Sequence, residues 1–176
     1  MTTPPFAPPS AEDVRIVSRQ LGRPARDVVG IAARCACGAP TVVSTKPRLA
    51  DGTPFPTFYY LTHPAATAAV STLEAEGEMP GFAALLAGPT KNDEVALQYR
   101  AAHEAYLADR ESVAVVDEIA GISAGGMPDR VKCLHALVGH ALAAGPGVNP
   151  IGDLALAQAA WSPAVCECSD YTEPTP

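Results

Sequence analysis

Asp27-Val-Val-Gly-Ile-Ala-Ala-Arg34, Cys35-Ala-Cys-Gly-Ala-Pro40 and Thr41-Val-Val-Ser-Thr45 run on from one another, and their reading decides the fold. The outer two segments carry β-branched residues, and the middle one carries glycine and proline. They predict two short strands joined by a tight turn. Asp51-Gly52 is a second turn signal. Phe55-Pro-Thr-Phe-Tyr-Tyr-Leu-Thr62 after it reads as a third strand and holds the densest aromatics of the chain. Three strands with short connections predict an antiparallel meander.

Outward from this core the pattern turns helical. Upstream, residues 1–9 read as a disordered lead-in. Ser10, with Asp13 at the capping-box position, starts a helix that Gly22 stops after Leu21. Downstream, Pro64 suits the first turn of a helix ending near Gly77. A short helix is expected over Pro80–Ala87. Thr90 with Asp93 reads as a second capping box for a long helix to about Arg110, with continuation toward Ile119 left open. Gly121–Met127 is a loop, Pro128 begins a helix to Ala144, and Gly145-Pro-Gly closes it. A last helix covers Ile151–Trp161, and residues 162–176 read as a flexible tail. The chain shows no internal repeat. The expected fold is α+β, one domain over residues 10–161, with a small sheet covered by about five helices.

Composition narrows the function. The chain has 176 residues, 48% of them apolar, enough to bury one core. Net charge is −7, and the 12 lysines and arginines are scattered, which argues against nucleic acid as partner. No run approaches the roughly 20 apolar residues of a membrane span. Met1–Ser10 lacks the charged and apolar regions of an export signal, so a reducing, cytoplasmic location is expected. The five cysteines then read as thiols or metal ligands rather than disulfides.

Three stretches stand out together. They are Cys35-Ala-Cys37-Gly38-Ala-Pro40, then Asp51-Gly-Thr-Pro-Phe-Pro-Thr57 with Tyr60-Leu-Thr-His-Pro64, and Gly125-Gly-Met-Pro-Asp-Arg-Val-Lys-Cys-Leu-His135. With His140 and Gly145-Pro-Gly-Val-Asn-Pro150, in this order, they resemble the bacterial family known as domain of unknown function 501, common in actinobacteria. The resemblance spans residues 12–160 and leaves Cys166 and Cys168 outside. It implies no activity, because the family has none established. It does imply cysteine in many relatives at the position of His63, an exchange that a zinc ligand tolerates. The family's gene context, near a division protein and an exopolyphosphatase, implies a rival without chemistry: an adaptor for a division- or polyphosphate-linked partner.

The residues themselves favour a metal. Thiolates and imidazoles are the donors zinc takes, with iron less favoured. Candidate ligands are Cys35, Cys37, His63, Cys133, His135 and His140, with Cys35, His63, Cys133 and one of the last two histidines preferred. On a regular helix Cys133 and His140 share a face but stand about 10 Å apart along the axis. His135 lies about 200° around from Cys133. Those two can share an ion only where the chain is still irregular. Whether the metal is structural or catalytic stays open at this level.

Two other chemistries compete. Cys133, near a helix start and beside Arg130 and Lys132, suits a thiolate nucleophile, with His135 or His140 as base and Asp129 or Asp153 orienting it. Gly125 and Gly126 before a helix, with Arg130 and Lys132, suit an anion site for a small phosphorylated ligand, approached by Lys46 and Arg48 from the sheet. That loop is no nucleotide-binding P-loop, since its glycines are adjacent and no Gly-Lys-Ser/Thr follows. Phe58, Tyr59 and Tyr60 read as core, Glu74, Glu76 and Glu78 as a solvated helix end, and Trp161 as the anchor of the last helix.

Overall fold

The sheet forms where the β-branched segments predicted it. In a computed structural model that describes residues 6–88, 93–165 and 168, β1 (Val28–Arg34) pairs antiparallel with β2 (Pro40–Thr45), which pairs antiparallel with β3 (Tyr59–Leu61). The register sets Ile31 against Val43 and Val43 against Tyr60. β2 is buried along its whole length, as the central strand of a sheet covered on both faces must be. The third strand is shorter than the segment Phe55–Thr62 predicted. Pro54 and Pro56 offer no N–H to a ladder, and the Phe58 N–H is taken by the Tyr106 hydroxyl.

Six α-helices surround the sheet among the described residues. α1 (Ala11–Leu21) begins at Ser10 with the expected capping box, the Asp13 N–H donating to Ser10 Oγ at 3.0 Å and the Ser10 N–H to Asp13 Oδ2 at 2.9 Å. Its Asp13 also receives both Arg34 Nη1 (2.7 Å) and Nη2 (3.0 Å), which ties the helix to the end of β1. That paired guanidinium, ahead of the Ser10 donors, lowers the Asp13 carboxyl to about 2 against the opposing effect of burial. α2 (Pro64–Glu76) ends at Gly77, whose φ of 83° is the left-handed cap that glycine supplies. α3 (Met79–Leu86) and α4 (Glu94–Glu111) follow. Thr90 lies outside the described residues. Asp93, expected as the third helical residue, is itself the N-cap of α4, and the helix stops at Glu111 before a 3-10 turn over Asp117–Ile119. Arg110, 2% exposed, joins these pieces by donating to the carbonyls of Ile122 and Ile119.

The largest departure is at Pro128, where a helix was expected. α5 covers only Leu134–Ala144, with Cys133 as an extended N-cap (φ −154°). Residues 125–132 form a tight turn instead: the Lys132 N–H donates to Gly125 O at 2.7 Å and the Arg130 N–H to Gly126 O at 2.9 Å. The Arg130 carbonyl is held by the Tyr99 hydroxyl at 3.0 Å, so α4 competes for the groups a helix would need. α6 (Pro150–Gln158) is capped by Asn149, whose Oδ1 accepts the Gly152 N–H. α5 packs on β3 and against α6, with α1 on β2. A Cβ on Gly152 would sit 2.2 Å from Leu137 O, so only glycine lets α6 lie that close to α5. The fold is thus α+β, and none of its described helices is long and apolar enough to cross a membrane.

Candidate metal centre

The turn between β1 and β2 presents two thiols at one edge of the sheet. Its backbone closes on itself, the Cys35 N–H donating to Ala39 O and the Gly38 N–H to Cys35 O, both at 2.8 Å. Gly38 adopts φ 89°, which the turn requires. Pro163 and Cys168 meet the turn here. The Ala36 N–H donates to Pro163 O at 3.0 Å, and Cys168, 1% exposed, packs with Ile16, Cys35 and Ala39. The sulfurs of Cys35, Cys37 and Cys168 consequently lie within 4.8 Å of one another. Cys35 is buried and Cys37 exposed, so the group sits at the protein surface with one side open.

His63 stands beside this trio. It is the N-cap of α2, entirely buried, with its ring centroid 5.1 Å from that of Trp161. Its Nδ1 accepts the Ala66 N–H at 3.4 Å, and its Nε2 lies 3.2 Å from Cys168 Sγ. An Nδ1 that accepts leaves the ring proton on Nε2, so the imidazole donates to the Cys168 sulfur and favours its thiolate.

A second cluster lies elsewhere, between α2 and the start of α5. Cys133, His135 and Glu74 bring one ligand atom each within 4.8 Å of the others. The extended Cys133 makes this possible, since on a regular helix the two side chains would diverge. Glu74 Oε1 accepts the Leu134 N–H at 2.7 Å and stands 3.3 Å from His135 Nδ1. His135 Nε2 faces Thr67 O at 3.2 Å and Ser71 Oγ at 3.1 Å. The His135 imidazole, then the Ala136 N–H, hold the Cys133 thiol below its ordinary range although burial opposes them. The same contact with Cys133 raises His135. A cleft of about 470 Å³ opens beside this group, lined by Tyr59, Tyr60, Thr67, Gly125, Cys133 and His135 among others.

His140 joins neither cluster. It is fully buried, stacked on Tyr59 with 5.7 Å between ring centroids and edge-on to Tyr106 at 5.1 Å. Asn149 Nδ2 donates to its Nδ1 at 3.2 Å, and burial lowers its pKa to about 4. Of the anion candidates, Arg130 and Lys132 are exposed, and the carbonyls of Gly125 and Gly126 bind their backbone N–H groups. A Cβ on Gly126 would meet Arg130 O at 2.6 Å, so the turn itself explains that glycine. The sequence reading missed Cys168 and Glu74. Cys166-x-Cys168 repeats the spacing of Cys35-x-Cys37 and was the available signal for the first; Cys166 lies outside the described residues. Glu74 carries no such signal.

Fold and site together define a small α+β protein with clustered thiols and imidazoles at two places. The chain belongs to the family of proteins of unknown function called DUF501, whose model matches residues 31–157. No curated protein and no solved structure matches it. Cys35, Cys37, His63, Glu74, Cys133 and His135 fall within the matched span, and Cys168 falls outside it.

Proposed function

We propose that this chain is a zinc-binding protein whose ion is held by the thiolates of Cys35, Cys37 and Cys168. The observation that carries this reading is the convergence of those three sulfurs within 4.8 Å, from segments more than a hundred residues apart in sequence. Donor atoms on one tetrahedral zinc stand about 3.5–4 Å apart, which the cluster can meet with small side-chain shifts. Soft sulfur donors favour zinc over hard cations. His63 acts through Cys168, as the N–H donor that orients and steadies its thiolate.

Burial of two of the ligands fits a structural role, in which a fourth donor would close the ion's shell on the open Cys37 side. Two of the sulfurs are buried against Ile16 and Ala39, and the ion would pin the C-terminal segment to the β1–β2 turn. Binding free energy at such a site is also folding free energy. A reducing, cytoplasmic setting keeps the thiols available.

Zinc analysis of protein purified under reducing conditions tests the reading. Cys37→Ser and Cys168→Ser should each lose this ion. His63→Ala should keep it but weaken binding about 10- to 100-fold, as expected when an orienting partner of a ligand is removed. Retention of all zinc in both cysteine variants would refute the site. Complete loss in His63→Ala would make His63 a direct ligand.

A further inference from the structure

His135 and Glu74 present an electrostatic puzzle that the first centre does not touch. A carbonyl only accepts, so the 3.2 Å contact of His135 Nε2 with Thr67 O places the ring proton on Nε2. Nδ1 of the neutral ring then directs a lone pair at Glu74 Oε1, 3.3 Å away. Cys133 Sγ lies within 4.8 Å of a ligand atom of each of these two residues. Three electron-pair donors, two of them anionic when ionised, therefore meet at one point. A cation at its centre, either a proton on His135 Nδ1 or a metal ion, relieves that arrangement.

Each donor is held in place by a partner outside the cluster. The Leu134 N–H at 2.7 Å fixes Glu74, and Thr67 O with Ser71 Oγ fixes the ring of His135. Cys133 is fixed by its place as the extended N-cap of α5. A backbone carbonyl on the far nitrogen of a histidine is the usual companion of a metal-bound imidazole, since it sets both tautomer and orientation. The surroundings differ from those of the first centre. Glu74 and His135 keep 25% and 26% of their side-chain surface exposed, and Cys133 and His135 line the cleft of about 470 Å³.

We propose that Glu74, Cys133 and His135 form a second metal site, for zinc or a similar first-row divalent ion, with an open coordination position facing the cleft. Three protein ligands of this mixed kind and one open position are the arrangement of catalytic rather than structural zinc. There the ion can polarise a bound water or the carbonyl or phosphoryl oxygen of a small substrate. The cleft has the size of a small-molecule site. This site is independent of the Cys35–Cys37–Cys168 centre, and each can fail without the other.

Zinc protection of Cys133 tests the proposal on the full chain. Iodoacetamide labelling, read peptide by peptide by mass spectrometry, is followed with and without added zinc. Zinc should slow alkylation of Cys133 about tenfold or more, because a metal-bound thiolate is a poor nucleophile. The protection should persist in Cys37→Ser and disappear in Glu74→Gln and His135→Gln. Cobalt-substituted Cys37→Ser protein should show visible bands that shift when azide is added, as an open position requires. Alkylation of Cys133 at the same rate with and without zinc in the wild-type protein would overturn the proposal, whatever the variants do. It would point instead to a proton between His135 and Glu74. Cobalt bands indifferent to azide would overturn the open position.

Discussion

Asn149 and His140 illustrate how much one buried contact determines at the scale of residues. Asn149 Oδ1 accepts the Gly152 N–H, so its Nδ2 must be the group facing His140 Nδ1. Burial between Tyr59 and Tyr106 keeps the ring neutral down to about pH 4. In the unfolded chain the same group takes its proton near 6.5. Its contribution is thus complete above pH 6.5 and lost as pH falls toward 4, on the order of 3 kcal/mol at the lower end. Urea denaturation over this range should show the loss in the wild-type protein and a flatter profile in His140→Phe. Asp13 acts further down: its pair with Arg34 is fully stabilising above 3.8 and fades as pH falls toward 2. At this scale the sequence marked Cys35, Cys37, Cys133 and the histidines by residue type alone. It could not separate His140, whose role depends on packing against two tyrosines distant in sequence, from the histidines beside cysteines. Nor could it show that Glu74 meets Cys133, far along the chain from it.

Elements owe their positions to a few demanding contacts. Gly152 lies so near the Leu137 carbonyl that Gly152→Ala must push α6 from α5, and a loss of roughly 1–3 kcal/mol in chemical denaturation is expected. Arg110 holds the 3-10 turn to α4 through carbonyls alone. Arg110→Met should cost roughly 1–3 kcal/mol, because those buried acceptors lose their donors. Helices with caps written into them were legible: Ser10 with Asp13, Pro64 with Gly77, and the Gly145 stop all hold. The start of α5 was not. Pro128 is a sound first-turn residue locally, but Tyr99 and the two glycines bind the turn's backbone groups first. That shift is what brings Cys133 and His135 together. The third strand shortened for the same kind of reason, a tyrosine hydroxyl replacing a strand partner.

Across the whole molecule, the two clusters divide what looked like one ligand set. The first joins the β1–β2 turn to the C-terminal segment; the second joins α2 to α5 beside a cleft. The meander and the α+β class were readable because turn residues and β-branching are local signals. The docking of Cys168 was not, because the Cys-x-Cys spacing it shares with Cys166 marks thiols but carries no periodicity to betray burial. If zinc holds that segment, chelation should lower the melting temperature of the wild-type protein by several degrees, as a loss of about 1–2 kcal/mol would. With Cys133→Ser also in place, so that only the first centre can bind, a chain shortened to residue 161 should not respond. The most direct measurement is X-ray absorption at the zinc edge on Cys133→Ser protein, in which only the first centre can report. The account predicts bound zinc with a sulfur-dominated shell near about 2.3 Å. A shell of nitrogen and oxygen alone, or well-folded protein without zinc, would contradict it.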